Sequence, residues 1–243
     1  MMKIIAHRGG AAHAPENTLA AFKRALLNPV VDGIECDVHL SKDKQFVVAH
    51  DYEIDRTSNG QGKISELTYE TLKTFDCGAW FSEAFSGEHY PLLEELLLLV
   101  DGQKPLIIEL KREGFLYPDM AKILLQTLAF YPYKDQLYIK SFDHELIEEI
   151  SHITRIYKLG LLFYNRPVAL LEQLNVCKAS FASFYAPALS QKIITICRYA
   201  GIELMVWTVD DAHDMGALWT LDDKLCIVTN DLEAAKFALG EDK

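Results

Sequence analysis

Besides Asp32 near its start, two acidic residues interrupt a segment, residues 31–38, that otherwise has the apolar, β-branched character of a buried strand. Because side chains alternate along a strand, Glu35 and Asp37 share one face and the apolar residues beside them share the other. Two neighbouring carboxylates are costly to bury unless positive charge lies between them. A divalent cation with oxygen ligands is the simplest source of that charge, and the exposed face of an edge strand is the alternative.

Further polar residues stand at the ends of other predicted strands. They are His7, Arg8, His50, Glu109, Lys111 and Trp207. Each of them alone has an ordinary structural explanation, such as a hydrogen-bonded core histidine or a surface ion pair. In a barrel, however, the carboxyl ends of the strands meet at one rim, where such folds carry their chemistry. The joint placement of these residues therefore predicts one site.

The residue types narrow the chemistry of this site. The carboxylates of Glu35, Asp37 and Glu109 are hard oxygen ligands suited to Mg²⁺ or Ca²⁺, whereas a zinc site would more often recruit His or Cys. Arg8 and Lys111 supply the positive charge that a phosphate needs. Two histidines, whose ordinary pKa is about 6.5, can act as general acid and general base. Together these groups indicate a phosphodiesterase.

Strand and helix patterns alternate along the chain and would position these groups. Eight strands are predicted at residues 3–7, 31–38, 105–111, 136–141, 155–163, 179–184, 202–209 and 225–229. Eight helices are predicted at about residues 16–28, 92–101, 117–131, 143–152, 167–174, 189–200, 211–220 and 231–239. The run 46–50 follows the acidic strand too closely for a parallel crossover, so it is predicted to return as a hairpin and to bring His50 level with the carboxylates.

Eight strand–helix units predict a parallel sheet that closes into a TIM barrel. A doubly wound open sheet is the alternative, which is weakened because Gly9 and Gly10 do not match the glycine spacing of a dinucleotide site. Residues 51–90 interrupt the alternation and are predicted to form a small inserted subdomain. Residues 1–243 are thus predicted to be a single domain with this insertion.

Composition excludes several kinds of partner. The net charge is −11 and no basic cluster is present, which argues against nucleic acid or an anionic membrane surface. The five scattered cysteines indicate reduced thiols rather than a disulfide framework. The sequence contains no apparent signal peptide and no apolar run of membrane-spanning length, so it predicts a cytoplasmic protein without membrane insertion.

Short motifs follow one another from residue 4 to about residue 230. In chain order they include His7-Arg8-Gly9, Pro15-Glu16-Asn17-Thr18-Leu19, Glu35-x-Asp37, His50-Asp51, Arg56-Thr57-Ser58-Asn59-Gly60, Glu109-x-Lys111, Ser141-Phe142 and Trp207-Thr208-Val209. This combination resembles the glycerophosphodiester phosphodiesterase family. The resemblance implies a TIM barrel with an insertion at about 51–90. It also implies hydrolysis of glycerophosphodiesters, the deacylated phospholipids, to sn-glycerol 3-phosphate and an alcohol.

The resemblance also implies roles for the candidate residues. One divalent cation, Mg²⁺ or Ca²⁺, would bind Glu35, Asp37 and Glu109, while His7 and His50 would provide acid–base catalysis. Arg8 and Lys111, the two cationic residues at strand ends, would bind the phosphate. Separately, Trp207 is predicted to pack against the glycerol carbons, with filling of the upper barrel layer as the alternative.

Two positions depart from the family pattern, which usually has Asn after Trp-Thr-Val and Thr-Asp after the last strand. Asp210 stands at the first position and Asn230 at the second. Asp210 is predicted to cap the next helix, and its charge near a phosphate site would shift substrate preference. Glu16 and Asn17 are expected to support the site from a helix start.

Other residues and other functions were weighed against this hypothesis. The histidines predicted to be ordinary loop or surface residues are His13, His39, His89, His144, His152 and His213.

A phospholipase D-like or sphingomyelinase D-like activity on lysolipids is disfavoured, because the sequence shows neither a secretion signal nor an interfacial surface. A non-catalytic barrel that binds a phosphate ligand would predict a missing His or metal ligand. The expected partner is a small glycerophosphodiester, and association into a homo-oligomer is left open.

Overall fold

A computed structural model of the chain describes residues 3–112 and 116–240. Within these residues nine strands form one sheet. In chain order the strands are β1 Ile4–Ala6, β2 Gly33–Leu40, β3 Phe46–Val48, β4 Leu106–Leu110, β5 Leu137–Ser141, β6 Lys158–Phe163, β7 Phe181–Tyr185, β8 Glu203–Trp207 and β9 Cys226–Thr229. The predicted extent of 1–243 also includes residues 1–2, 113–115 and 241–243, which lie outside the described residues.

Eight of these strands are parallel and close into a barrel. Their order around the barrel is β1-β9-β8-β7-β6-β5-β4-β2, and β1 pairs again with β2. Branched and aromatic apolar residues are frequent in these strands, which suits a parallel sheet that is buried on both faces. The predicted TIM barrel is confirmed, and the doubly wound alternative is excluded because the pairing of β1 with β2 closes the sheet.

The hairpin strand β3 returns antiparallel beside β2, as the short spacing between them predicts. Val38 lies opposite Val48, and the backbone N–H of Ala49 donates to the carbonyl oxygen of Asp37 over 3.0 Å. His50 follows the residue that makes this bond, so the hairpin carries it to the level of Asp37 at the carboxyl end of the barrel.

Helices follow the strands, and all of them except the short second helix cover the outside of the barrel. They are α1 Leu19–Leu27, α2 Tyr69–Leu72, α3 Leu93–Val100, α4 Met120–Leu128, α5 His144–Ile153, α6 Leu170–Val176, α7 Gln191–Tyr199, α8 Ala212–Leu221 and α9 Leu232–Ala238. Among residues 3–112 and 116–240, none of the helices combines the length and the apolar character needed to cross a membrane.

The first helix begins later than its sequence pattern predicts. Asn17 has a left-handed backbone with φ of 59°, which keeps it out of the helix. Thr18 then caps α1, since its Oγ1 accepts a hydrogen bond from the N–H of Ala21 at 3.3 Å. The chain between β1 and α1 is therefore a loop as far as Asn17, and this loop lies over the carboxyl end of the barrel.

Apolar side chains fill the lower part of the barrel. Those that pack together there are Ile5, Ile107, Tyr138, Phe181, Met205, Cys226 and Val228. Gly160 has no side chain because the ring of Phe181 occupies the space, and a Cβ at this position would lie 2.3 Å from the ring. A larger cluster fills the space between the outer face of the sheet and the helices. The charged groups at the carboxyl end therefore rest on a packed apolar floor.

Residues between β3 and α3 pack partly around a small core of their own. This core consists of Val47, Ala49, Ile54, Ile64, Leu72, Cys77 and Tyr90. Its polar contacts are also local, because the hydroxyls of Thr57 and Tyr90 lie 3.0 Å apart. The segment coincides with residues 51–90, and its role as an inserted subdomain stays a prediction.

Candidate active site

Three carboxylates converge at the upper end of the barrel. Glu35 and Asp37 lie on β2, and the register between strands places Asp37 beside Glu109 of β4. Their exposed fractions are only 0%, 1% and 5%. One oxygen from each side chain can be chosen so that all three lie within 4.8 Å of one another. The structure thus brings together the three acids that the spacing singled out.

The donor set fits a hard divalent cation. Oε1 of Glu35 and Oδ1 of Asp37 are buried, and each faces an ammonium group: Lys140 lies 3.0 Å from the first oxygen and Lys111 lies 3.0 Å from the second. Buried carboxylate oxygens that converge on one point are the ligands that Mg²⁺ and Ca²⁺ prefer. We call Glu35, Asp37 and Glu109 the carboxylate cage.

Lys111 and Arg8 border the carboxylate cage. Nζ of Lys111 lies 3.0 Å from Oδ1 of Asp37 and donates to Oε1 of Glu109. Nε of Arg8 lies 3.4 Å from Oδ2 of Asp37, while its Nη1 donates to Oε1 of Glu16 over 2.8 Å. Burial alone would raise the pKa of Asp37, but Lys111 and Arg8 outweigh it and hold that pKa well below its ordinary value. Asp37 is therefore ionised at neutral pH.

Lys140 is a cation of the site that the sequence analysis missed. It lies on β5 and is 1% exposed, with Nζ 3.0 Å from Oε1 of Glu35 and 3.4 Å from Oε2 of Glu109. Burial would lower its pKa, but Glu35 and Glu109 raise it, so the ammonium stays charged. The signal was present in the alternation of β5, because Tyr138 and Lys140 share the inward face of a strand beside the acidic ones.

The loop before α1 supports the site through two side chains. Nδ2 of Asn17 donates to Oδ2 of Asp37 over 2.9 Å, and Oδ1 of Asn17 accepts from the N–H of Asp37 at 3.3 Å. Glu16 receives hydrogen bonds from Arg8 and from Arg56. Asn17 thus fixes the orientation of one cage carboxylate, and Glu16 fixes the arginine beside it.

His7 begins a short 3-10 turn, His7–Gly9, directly after β1. Its Nδ1 lies 2.8 Å from Oδ1 of Asn230, and its Nε2 lies 4.0 Å from Oε2 of Glu35. Burial lowers the pKa of His7, although Glu35 opposes this effect. The imidazole is therefore held by one nitrogen and directs the other toward the carboxylate cage.

Asp210 positions Asn230 and does not cap the following helix. Its Oδ1 accepts from the N–H of Asn230 at 2.7 Å, and its Oδ2 accepts from Nδ2 of the same residue at 2.9 Å. The prediction that Asp210 caps α8 is wrong, because Asp211 is the capping residue and accepts from the N–H groups of His213 and Asp214. The two departures from the family pattern are thus hydrogen-bonded to each other.

His50 faces the same space from the hairpin. Its Nδ1 lies 2.7 Å from Oδ1 of Asp51, and Oδ2 of Asp51 accepts from Nε of Arg56 over 2.6 Å. Burial would raise the pKa of Asp51, but Arg56 and His50 lower it to about 2. Asp51 therefore remains an anion beside the His50 ring.

His39 is not the loop or surface residue that its isolated position in the sequence suggested. It lies within β2 and is fully buried, and its Nε2 is 3.0 Å from the carbonyl oxygen of His50. The prediction failed because His39 lies two residues beyond Asp37 and so points toward the same crowded face. Burial lowers its pKa from 6.5 to about 4.

Buried His39 is expected to make the protein less stable as the pH falls from 6.5 toward 4. At His39 the unfolded chain takes up a proton near pH 6.5, whereas the folded chain does so only near pH 4. The contribution of neutral His39 to the free energy of unfolding is therefore complete above pH 6.5 and is lost as the pH falls toward 4. The loss amounts to roughly 3 kcal/mol. Urea unfolding in EDTA at several pH values would measure this loss. His39→Gln should remove the dependence of the free energy of unfolding on pH between 6.5 and 4. The control His89→Gln, at a half-exposed histidine, should keep that dependence.

A small cavity of about 70 Å³ lies above the carboxylate cage, and two larger grooves open from it. One groove, of about 500 Å³, shares His50, Lys111 and Phe142 with the cavity. The other, of about 420 Å³, shares His7 and Arg8 with it. Each predicted catalytic histidine thus stands where the cavity meets one groove.

Trp207 lines the same cavity, close to the ring of Phe142. The two ring centres are 5.7 Å apart in an edge-on arrangement. Tyr185 contacts Trp207 from the other side, with 5.5 Å between the ring centres. These rings form an apolar wall on the cavity beside its charged groups.

The family model described as the glycerophosphoryl diester phosphodiesterase family matches residues 7–233. The chain belongs to this family. The match spans both predicted catalytic histidines and the whole carboxylate cage. Family membership, which the motifs predicted, is thereby confirmed.

Individual members of the glycerophosphoryl diester phosphodiesterase family are similar over most of their length. A glycerophosphodiester phosphodiesterase of Caldanaerobacter subterraneus subsp. tengcongensis is 37% identical over 217 residues, which cover 87% of each protein. A solved glycerophosphodiester phosphodiesterase from Agrobacterium tumefaciens is 29% identical, has a TM-score of 0.81 and covers 98% of this chain and 100% of that one. The prediction that the chain is an enzyme of this type is confirmed.

The barrel itself closely matches a more distant solved structure. A phosphodiesterase from Oleispira antarctica, solved with its product sn-glycerol-3-phosphate, has a TM-score of 0.92 at 24% identity. The alignment covers 98% of this chain and 96% of that chain. This likeness demonstrates a shared fold.

Proposed function

We propose that the chain hydrolyses glycerophosphodiesters to sn-glycerol 3-phosphate and an alcohol in a metal-dependent reaction. The observation that supports this most directly is the cavity with a groove on each side. A phosphodiester has one phosphate and two ester arms, and the small cavity with two grooves offers a place for each part. The product found with the Oleispira antarctica protein has the chemistry expected of one arm with its phosphate.

Arg8 and Lys111 would hold the phosphate. Both line the small cavity, and their side chains are 17% and 12% exposed, so an anion can reach them. Arg offers a planar fork of donors and Lys a point charge, which together suit tetrahedral phosphate oxygens. Trp207 would then pack against the glycerol carbons across the cavity.

His7 and His50 would exchange protons on opposite sides of the phosphate. One of them takes the proton of the attacking hydroxyl, and the other gives a proton to the oxygen of the departing alcohol. Their placement at the two groove junctions puts one imidazole near each ester arm. Nδ1 of His7 is held by Asn230 and Nδ1 of His50 by Asp51, so Nε2 of each ring stays available to the substrate.

Glu35, Asp37 and Glu109 would hold one Mg²⁺ or Ca²⁺ ion. When bound, this ion supplies positive charge that polarises the phosphate as a Lewis acid. The convergence of three buried carboxylates within 4.8 Å of one another supports this role for the carboxylate cage. Asn17 and Lys140 orient the cage from two directions, whatever ion it holds.

Release of sn-glycerol 3-phosphate from a panel of glycerophosphodiesters would test the proposal. The panel should include choline, ethanolamine and glycerol head groups, each with EDTA, Mg²⁺ or Ca²⁺. We expect product from at least one of them only when a metal is added. Lysophosphatidylcholine tests the alternative, because release of choline or of a cyclic phosphate from it alone would point to a phospholipase D-like or sphingomyelinase D-like enzyme. Binding without turnover of any of them would indicate a non-catalytic barrel.

A further inference from the structure

Lys140 lines the small cavity, but almost all of its side chain is buried. It lies opposite Glu109 in the register between β4 and β5. It is two residues beyond Tyr138, which belongs to the apolar cluster in the lower part of the barrel. Only 2% of its side chain is exposed. Its ammonium lies between Glu35 and Glu109 at 3.0 Å and 3.4 Å, which makes it a bridge between two members of the carboxylate cage.

The fixed charges of the site balance without any added ion. The carboxylate cage carries three negative charges, and Arg8, Lys111 and Lys140 carry three positive ones. Buried carboxylates that lack a counter-charge are strongly unfavourable, so this balance stabilises the metal-free protein. A divalent cation would enter a cluster that is already neutral.

The cations differ in how freely they can move away. Lys111 and Arg8 face the cavity, where a phosphate can draw them from the carboxylates. Lys140 also lines the cavity, but only 2% of its side chain is exposed, against 17% for Arg8 and 12% for Lys111. Its ammonium lies between two cage carboxylates, so its charge stays beside any ion that the cage binds. Like charges held a few ångströms apart in a buried site repel strongly.

We propose that Lys140 is a positioning residue that acts as a permanent counter-cation of the carboxylate cage. It keeps Glu35 and Glu109 together when no metal is bound, and it limits the affinity of the cage for a divalent cation. This inference rests on the proposed metal site, although not on the proposed hydrolysis. It assigns to this chain a site that is assembled before the metal arrives and that releases the metal readily.

Calcium binding to Lys140→Met would test this role directly. Isothermal titration of the full chain with Ca²⁺ at pH 8, without substrate, should give a Kd at least about tenfold lower than that of the unsubstituted protein. The Tm of Lys140→Met in EDTA should fall because two buried carboxylates lose their counter-charge, and saturating Ca²⁺ should recover more of the Tm than it does without the substitution. Lys140→Gln, which retains a hydrogen-bond donor, should show the same changes and serves if the Met variant does not fold.

Lys158 provides the matched control. It is the first residue of the neighbouring strand β6, it contacts Tyr138 and Glu203, and it lies at the amino end of the barrel. Lys158→Met should leave the Kd for Ca²⁺ unchanged. Two results would overturn the role of Lys140. The first is Ca²⁺ binding by both Lys140 variants that is no tighter than that of the unsubstituted chain. The second is a metal-free Tm that does not fall. Absence of Ca²⁺ binding in every variant and in the unsubstituted chain would instead overturn the metal site itself, and the role of Lys140 with it.

Discussion

Replacing His50 by alanine is expected to lower the turnover of a glycerophosphodiester by about 10²- to 10⁴-fold, the usual contribution of general acid–base catalysis. His50 stands where the cavity meets a groove, and Asp51 holds its Nδ1 so that the other nitrogen faces the site. The variant should retain the KM for the substrate to within a few-fold, because Arg8 and Lys111 still bind the phosphate. Steady-state release of sn-glycerol 3-phosphate measures both constants.

His13 offers a closely matched control for this substitution. Its side chain is 32% exposed, as is that of His50, and it also pairs with a carboxylate, since its Nε2 lies 3.1 Å from Oδ1 of Asp231. It lies outside the cavity, so His13→Ala should leave turnover within about twofold, as surface substitutions usually do. Near-normal turnover in His50→Ala, with the Tm of both variants preserved, would remove His50 from the reaction.

Chelation is expected to abolish turnover, and Mg²⁺ or Ca²⁺ is expected to restore it. The loss should be at least about 100-fold, because Lewis-acid stabilisation by a metal is worth several kcal/mol. Asp37→Asn should raise the metal concentration needed for half-maximal rate, since it replaces a charged ligand with a neutral one of the same shape. Dialysis against EDTA, followed by titration with each metal salt, measures both effects.

A second group of possible metal ligands provides a control for the metal requirement of the carboxylate cage. Asp211, His213 and Asp214 are also close enough together to hold an ion, but they are exposed at the start of α8. Asp211→Asn preserves the helix cap and should leave the metal requirement unchanged. An enzyme that keeps its full rate after exhaustive chelation would contradict a metal role for the carboxylate cage.

The sequence predicts the barrel and the placement of the main groups because both follow from local patterns. Alternation within β2 places Glu35 and Asp37 on one face, and a hairpin too short for a crossover must return beside them with His50. The strand-end position of Glu109 then brings it to the same rim. None of these steps needs knowledge of the tertiary structure beyond the closure of the barrel.

The remaining features depend on contacts between distant segments. Lys140 becomes part of the site only through the register between β4 and β5, and Asn17 only through a left-handed turn that lays its loop over β2. His39 looked isolated because its partner is a backbone carbonyl, which carries no sequence signal. Asp210 and Asp211 are adjacent acids before α8, and composition alone does not tell which of the two caps the helix.

The contact between Asp210 and Asn230 settles which way round the amide of Asn230 lies. A carboxylate can only accept hydrogen bonds, so the amide nitrogen must face Asp210 and the amide oxygen must face the imidazole of His7. That oxygen requires a proton on Nδ1, which leaves a lone pair on Nε2 of the uncharged ring. If the proposed acid–base roles hold, this tautomer makes His7 the group that receives the proton and leaves donation to the departing alcohol to His50.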